Sequence, residues 1–261
     1  MLTKNERNAI KALRNRENRL NEKRMVVEGD KSVIELLKSP IKTERIYVTN
    51  GVEIKEIRTL AEKKSIEVID ISSKDMEIMS SMRTAPGILA LGRIVEFSTE
   101  EVVGKIKNDQ NPVIPTIMIL DDLSDPGNVG TLIRTADWFG LAGIVCSQRT
   151  ADIWNPKTIQ SSMGSVFRIP ICTANPLDVI KSFELKAVAL DARGENLFAS
   201  KLIPDAIVIG SESHGLSVGL IDACEATWSI PGKGNAESLN AAIAGAIVTS
   251  ELSRRLSHLG L

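Results

Sequence analysis

With 261 residues, the chain is long enough for one large domain or two modest ones, each able to bury a core. Apolar residues make up 43% and charged residues 25%, with a net charge of −1, as in an ordinary globular protein. No apolar run approaches the roughly 18 residues of a membrane span, and the opening MLTKNERNAIKALRNRENRL is too charged for a secretory signal.

Residues 4–21 read as one polar helix. Eight of the first 24 residues are basic and three are acidic, so this segment is either a phosphate-contacting arm or a solvated helix face. Short strands and helices then alternate: MVVEG, a helix near 30–38, ERIYVT, a helix near 54–64, SIEVIDI, a helix near 73–80, and GILALGRIV. The polar stretch EFSTEEVVGKIKNDQNP (96–112) breaks this rhythm and marks a boundary. The expected organisation is a first α/β domain over 1–96, a linker over 97–112 and a second α/β domain over 113–261.

The second half carries almost continuously apolar runs, TIMIL, GIVCS, VFRIPI, KAVALD, AIVIG and TWSIP, and a long helix near Ser238 to Leu259. Such runs suit a parallel sheet with helices on both faces. Cys146, Cys172 and Cys224 are far apart, with neither zinc nor disulfide spacing, and suit a reducing, cytoplasmic compartment.

In an open parallel sheet, ligands bind past the carboxyl ends of the strands. Three loops fall there: DPGNVGTLIRTA (125–136), GSESHGL (210–216) and IPGKGNAESLNAAIA (230–244). Asn128 and Ser238 are residue types that cap helices, and capping alone accounts for them as well as ligand contact does. The glycines at 127, 130, 232 and 234 are either turn residues or let main-chain N–H groups approach a ligand. Arg134 lies among apolar neighbours, which suits either an anion site or an ion pair with Glu212 or Asp137.

Other chemistries fail on pattern. There is no GxxxxGK[ST] phosphate loop, and GKGNAE has only one helix after it, too little chain for a dinucleotide site. GSESHG lacks the glycine of a nucleophile elbow, and its Ser213 and His214 are sequence neighbours. With only His214 and His258 in the chain, a histidine metal site is not expected.

The three loops, in this order and ahead of a C-terminal helix, resemble the three motifs of SpoU/TrmH-family RNA ribose 2′-O-methyltransferases of the SPOUT class. Asp125, Pro126, Asn128, Gly130, Arg134 and Ala136 match the first motif. Gly210, Glu212, Gly215 and Leu216 match the second, and Ile230, Pro231, Gly234, Ser238, Leu239 and Asn240 the third. Two positions depart: Ser213 stands where glycine is common, and Gly232 where a methionine often follows Ile-Pro. VVEGDKSVIELL and APGILALG are similar, more loosely, to a substrate-binding domain related to ribosomal RNA-binding proteins.

The resemblance implies an α/β catalytic domain closed by a trefoil knot, S-adenosylmethionine as cofactor, no metal, a homodimer, and RNA as partner, with ribosomal RNA preferred over transfer RNA. It implies that main chain around Leu190, Gly210, Ile230 and Leu239 holds the cofactor. Asn128, Arg134, Glu212, Ser238 and Asn240 would serve catalysis. In that scheme Arg134 anchors the target phosphate, Asn128 contacts the ribose or cofactor carboxylate, Glu212 orients Arg134 or its loop, and Ser238 and Asn240 cap the last helix.

Overall fold

The computed structural model describes residues 2–107 and 114–258. The end of the expected linker, 108–112, and Leu259 lie outside the described residues. The chain forms two compact units, Met1–Val95 with Asp152–Arg168, and Glu96–Ala151 with Ile169–Leu261.

The first unit is built on a mixed four-stranded sheet. Its strands are β1 (Arg24–Glu28), β2 (Thr43–Thr49), β3 (Glu67–Ile71) and β4 (Ile88–Arg93), in the order β1-β4-β2-β3. β4 runs antiparallel to β1 and β2, while β2 and β3 are parallel. Period-two alternation puts Val26, Tyr47, Ile69, Leu89 and Leu91 on one face. Ile10 and Leu13 from the N-terminal segment and Met76 and Met79 from α5 (Ser73–Met79) complete that core. On the opposite face, Leu36 of α3 (Asp30–Lys38) packs close to Gly92 and Met25, and α4 (Lys55–Lys63) lies against α3.

The expected single N-terminal helix is two helices, α1 (Lys4–Ala12) and α2 (Arg16–Glu22), because Asn15 caps the second by accepting from the Glu17 N–H at 2.8 Å. Several arginines of this basic segment are consumed inside the unit. Arg7 pairs with Asp75 at 2.6 Å and Arg14 donates to the Ile78 carbonyl at 3.0 Å. Arg19, only 1% exposed, donates to the Leu13 and Arg14 carbonyls at 2.7 and 2.8 Å and pairs with Asp152.

Asp152 belongs to a segment that sequence reading assigned to the second domain. Residues 152–168, including α8 (Pro156–Ser162), instead pack with the first unit, α8 lying against β1. The expected strand VFRIPI is correspondingly displaced. Gly164 turns the chain at φ +89°, Ser165–Phe167 form a 3-10 turn, and the strand, β7, spans only Ile171–Thr173. Val166 and Phe167 satisfy their apolar character by burial rather than pairing, and Pro170 has no N–H for a ladder.

Residues 97–107 are likewise not an open linker. A reciprocal Ser98–Glu101 capping box starts α6 (Thr99–Gly104), and Val102 and Val103 enter the second unit's core. The polar residues that suggested a linker form the outer face of that helix.

The second unit holds a six-stranded, wholly parallel sheet, ordered β10-β8-β9-β5-β6-β7. The remaining strands are β5 (Ile114–Leu120), β6 (Leu141–Cys146), β8 (Ala187–Asn196), β9 (Ala206–Ile209) and β10 (Ala226–Ser229). Ile117, Ile119, Val145 and Val208 meet α6, α9 (Pro176–Ser182) and α10 (Val218–Asp222) on one face. The other face carries α7 (Pro126–Phe139) and α11 (Ala241–His258), which pack on each other and on β5.

β8 and β10 separate after Thr227↔Ala189 and rejoin at Trp228↔Glu195. Between those pairs the chain passes so close that a Cβ on Gly194 would lie 2.6 Å from the Thr227 carbonyl carbon. Beneath this crossing, Arg255 of α11 stacks over the buried Trp228 ring at 4.8 Å. It donates to the Leu197 and Leu202 carbonyls at 2.5 and 2.8 Å and to Glu251 at 3.0 Å. Removing a buried partner strands the groups it satisfied, so Arg255→Ala should cost about 3–5 kcal/mol of unfolding free energy in a denaturant titration.

The Glu251 carboxyl is drawn from 4.5 to about 2, first by donation from Arg254, against the opposing effect of burial, and with help from Arg255. A depressed carboxyl stabilises the fold fully above its unfolded value, and that contribution disappears as pH falls from 4.5 toward 2. Thermal melts from pH 5 to 2 should therefore fall more steeply for the native protein than for Glu251→Gln.

Candidate active site

The carboxyl ends of β5, β8, β9 and β10 face the same way because the strands are parallel. The loops leaving them therefore converge on one edge of the sheet. Leu190 follows the Ala189↔Val208 pair, Gly210 follows β9, and Ile230 follows β10. Leu239 is 48% exposed in the segment before α11, in which all of residues 231–240 are exposed.

Asn128 is not the cap of α7. Asp125 caps it, accepting from the Asn128 N–H at 2.9 Å, with Pro126 in the first turn. Asn128 sits three residues past the cap, and its amide faces the other two loops. Asn128 Nδ2 donates to Glu212 Oε1 at 2.5 Å, and Asn240 Nδ2 donates to Asn128 Oδ1 at 3.0 Å. One side chain from each of three loops thus joins a single polar chain ending on a carboxylate, its two hydrogen bonds spanning 84 and 112 residues of sequence.

Asn240 also caps α11, its Oδ1 accepting from the Ala242 and Ile243 N–H groups at 2.9 and 3.3 Å. The helix starts at Ala241, so the expected start at Ser238, and capping by Ser238, do not hold. Ser238 is exposed two residues before the cap. Asp125 takes the capping place open to Asn128, and of the expected pair Ser238 and Asn240 only Asn240 caps α11, because each cap immediately precedes its helix and holds a short acceptor over the first N–H groups.

Arg134 lies six residues past Asn128 on α7, about 9 Å along the axis and rotated roughly 120°. It is exposed and makes no ion pair among the described residues. No ion pair joins Arg134 to Glu212 or Asp137, and Glu212 instead accepts from Asn128, in the motif segment that leads to Arg134.

The second loop closes tightly. A Cβ on Gly210 would lie 2.7 Å from the Gly215 carbonyl carbon, and Gly215 itself has φ +65°. Ser213 fits this turn without glycine, since its φ is not left-handed and its hydroxyl meets that of Ser211 at 2.9 Å. Gly232 has open space where a side chain would project. Neither departure from the motif strains the loop.

Sequence reasoning missed a second polar cluster at the ends of β5 and β6. Asp122, at φ +56°, donates its N–H to Ser147 Oγ at 2.9 Å, accepts from the same hydroxyl at 3.0 Å, and pairs with Arg149. Burial and the neighbouring Asp122 charge push the Asp121 carboxyl up. The only signal was the abrupt change from TIMIL to two aspartates. A groove of about 880 Å³ borders the site, lined by Asn128, Asn240, Phe139, Phe198, Ile243 and Ile247 among others. Among the described residues, no group of three His, Cys, Asp or Glu side chains is placed to hold a metal. No helix among them is long and apolar enough to cross a membrane.

Residues 115–250 match the SpoU rRNA Methylase family, and residues 6–90 match the MRM3-like substrate binding domain. The chain belongs to the SpoU methylase family. It is 30% identical to the 23S rRNA (guanosine(2553)-2′-O)-methyltransferase RlmP of Bacillus subtilis (strain 168), over 93% of each chain. Among solved structures it is similar to a TrmH-family protein from Porphyromonas gingivalis, with 30% identity, a TM-score of 0.82, and 98% and 99% of the two chains covered. It is also similar to an AdoMet-bound rRNA methyltransferase from Sinorhizobium meliloti, with 27% identity, a TM-score of 0.83, and 98% and 97% covered.

An isosteric break in the polar chain tests its role in this SpoU-family site. Asn128→Asp places a carboxylate against Glu212 and should reduce methyl transfer at least about tenfold, while the melting temperature changes little because Asp125 still caps α7. Measuring turnover and melting on the same preparation separates the two effects.

Proposed function

We propose that this protein transfers a methyl group from S-adenosylmethionine to a ribose 2′-hydroxyl of structured RNA, with ribosomal RNA as the substrate. The observation that carries the reading is the Asn240–Asn128–Glu212 chain, which draws the three motif loops into one site, with the exposed Arg134 farther along the same helix as Asn128. The rRNA ribose activity named for the Bacillus subtilis relative supports the substrate class.

The residues present fit the cofactor. Gly210 and Ile230 lie past the ends of β9 and β10, Leu190 lies within β8 just beyond its ladder with β9, and Leu190, Ile230 and Leu239 offer apolar contact. When bound, S-adenosylmethionine supplies an electrophilic methyl group. The chain's task is to place a 2′-hydroxyl in line and to stabilise charge developing on its oxygen as its proton passes to water, the methyl–sulfur bond breaking as the methyl–oxygen bond forms. A guanidinium only donates hydrogen bonds, so Arg134 serves as a phosphate anchor and oxyanion partner rather than as a base. Glu212 fixes the Asn128 amide, leaving that amide oriented toward substrate, and Asn240 ties the third loop to the same point. Ser238 lies in the exposed segment that would close over the bound pair.

The first unit serves as the RNA-holding domain and the second unit, 96–151 with 169–261, as the catalytic domain, supported by the family matches over 6–90 and 115–250. The catalytic domain carries a trefoil knot, a reading supported by its match to the SpoU family over 115–250. The active form is a homodimer in the cytoplasm, with a second copy covering the exposed Phe198 and Ile243 of the α7–α11 groove.

The test is methyl transfer from labelled S-adenosylmethionine to total RNA of a host strain lacking this gene, followed by nucleoside mass spectrometry. A 2′-O-methyl nucleoside is expected; a base-methylated product or no product overturns the proposal. Arg134→Ala should hold cofactor affinity within a few-fold and lower turnover by about 100-fold or more. Parallel loss of both would make Arg134 structural.

A further inference from the structure

Three tryptophans occur in the chain, and they are treated very differently. Trp154 is 6% and Trp228 1% exposed, as befits large apolar rings. Trp138 is 82% exposed, the most exposed large hydrophobic side chain among the described residues. It lies on α7, four residues past Arg134, so the two side chains share a face with Cβ atoms about 5–6 Å apart. Around the helix, Trp138 falls between Arg134 and Thr131, on the arc that ends at Asn128.

We propose that Trp138 is a stacking platform for an RNA base, set beside Arg134 so that one nucleotide is gripped through its base and the adjoining phosphate together. This rests on the RNA methyltransferase reading above and gives that site a base-holding subsite. A planar π-face next to an unpaired guanidinium complements the two recurring chemistries of a nucleotide, an aromatic ring and an anion. A second protein copy fits this spot less well. The apolar groove that suits a partner is lined by Thr131 and Phe139 on either side, and Trp138 is not part of it. Burying Trp138 in an apolar contact would also desolvate Arg134 without a counter-charge. Stacking is tolerant of base identity, so Trp138 would raise affinity and fix the approach of the strand without selecting sequence.

The test uses the full-length protein with a 12-residue oligoadenylate and, separately, total RNA from a strain lacking the gene. Oligoadenylate should quench tryptophan fluorescence in the native protein and leave Trp138→Phe unchanged, because Trp154 and Trp228 are buried. Trp138→Ala should raise KM for RNA by about 5- to 150-fold, the range of one lost base–aromatic stack, with kcat and cofactor affinity within about threefold. Trp138→Phe should restore KM to within about threefold of the native value. Sedimentation of Trp138→Ala should match that of the native protein.

The inference is overturned by quenching that persists in Trp138→Phe, by absent quenching at RNA concentrations that saturate methyl transfer, or by an unchanged KM in Trp138→Ala. A smaller sedimenting species for Trp138→Ala also overturns it, because the ring would then face a second copy. Failure of the native protein to methylate RNA would instead refute the functional reading, and the quenching experiment would still decide the stacking.

Discussion

The site depends on one amide. Asn128 offers its Nδ2 to Glu212 and its Oδ1 to Asn240, so a single planar group with fixed donor and acceptor ends sets the spacing of three loops. An amide suits this place because it reads the two partners oppositely: a carboxylate accepts on one side and another amide donates on the other. The residue is free to do this because Asp125 has already satisfied the first turn of α7. The division of labour between cap and link is therefore as important as either bond.

The rest of the second unit holds that junction still. Strands β5, β8, β9 and β10 are parallel and buried, which brings their ends to one edge. α7 and α11 pack on one another, so Asn128 and Asn240, near the two helix starts, are held at a fixed separation. At the far end of α11, Arg255 binds carbonyls of the 197–202 segment and covers Trp228. α11 is thus anchored at both ends by polar groups whose loss would leave buried partners unsatisfied.

The first unit uses charge for internal fastening more than its sequence suggests. Arg7, Arg14 and Arg19 bind Asp75, the carbonyls at the end of α5, and Asp152. Only part of the basic N-terminal segment remains for an external anion. The buried Arg19–Asp152 pair also holds the excursion 152–168, a stretch of the second half of the chain, within the first unit.

Local pattern by itself determined the nature and order of most elements. Period-two and continuous apolar runs marked β1 to β6 and β8 to β10, and the three glycine-rich loops marked the edge where chemistry gathers. These are legible because side-chain periodicity and turn residues act within a few positions. What the tertiary structure decided were matters of partnership. VFRIPI gave up its strand because burial against other elements satisfied Val166 and Phe167. The apparent linker became α6 because two valines found a core. Whether Asn128 capped a helix or linked three loops turned on residues far away in sequence. A side chain's hydrogen-bond capacity is written in its identity, but which group meets it depends on long-range packing that no local window contains.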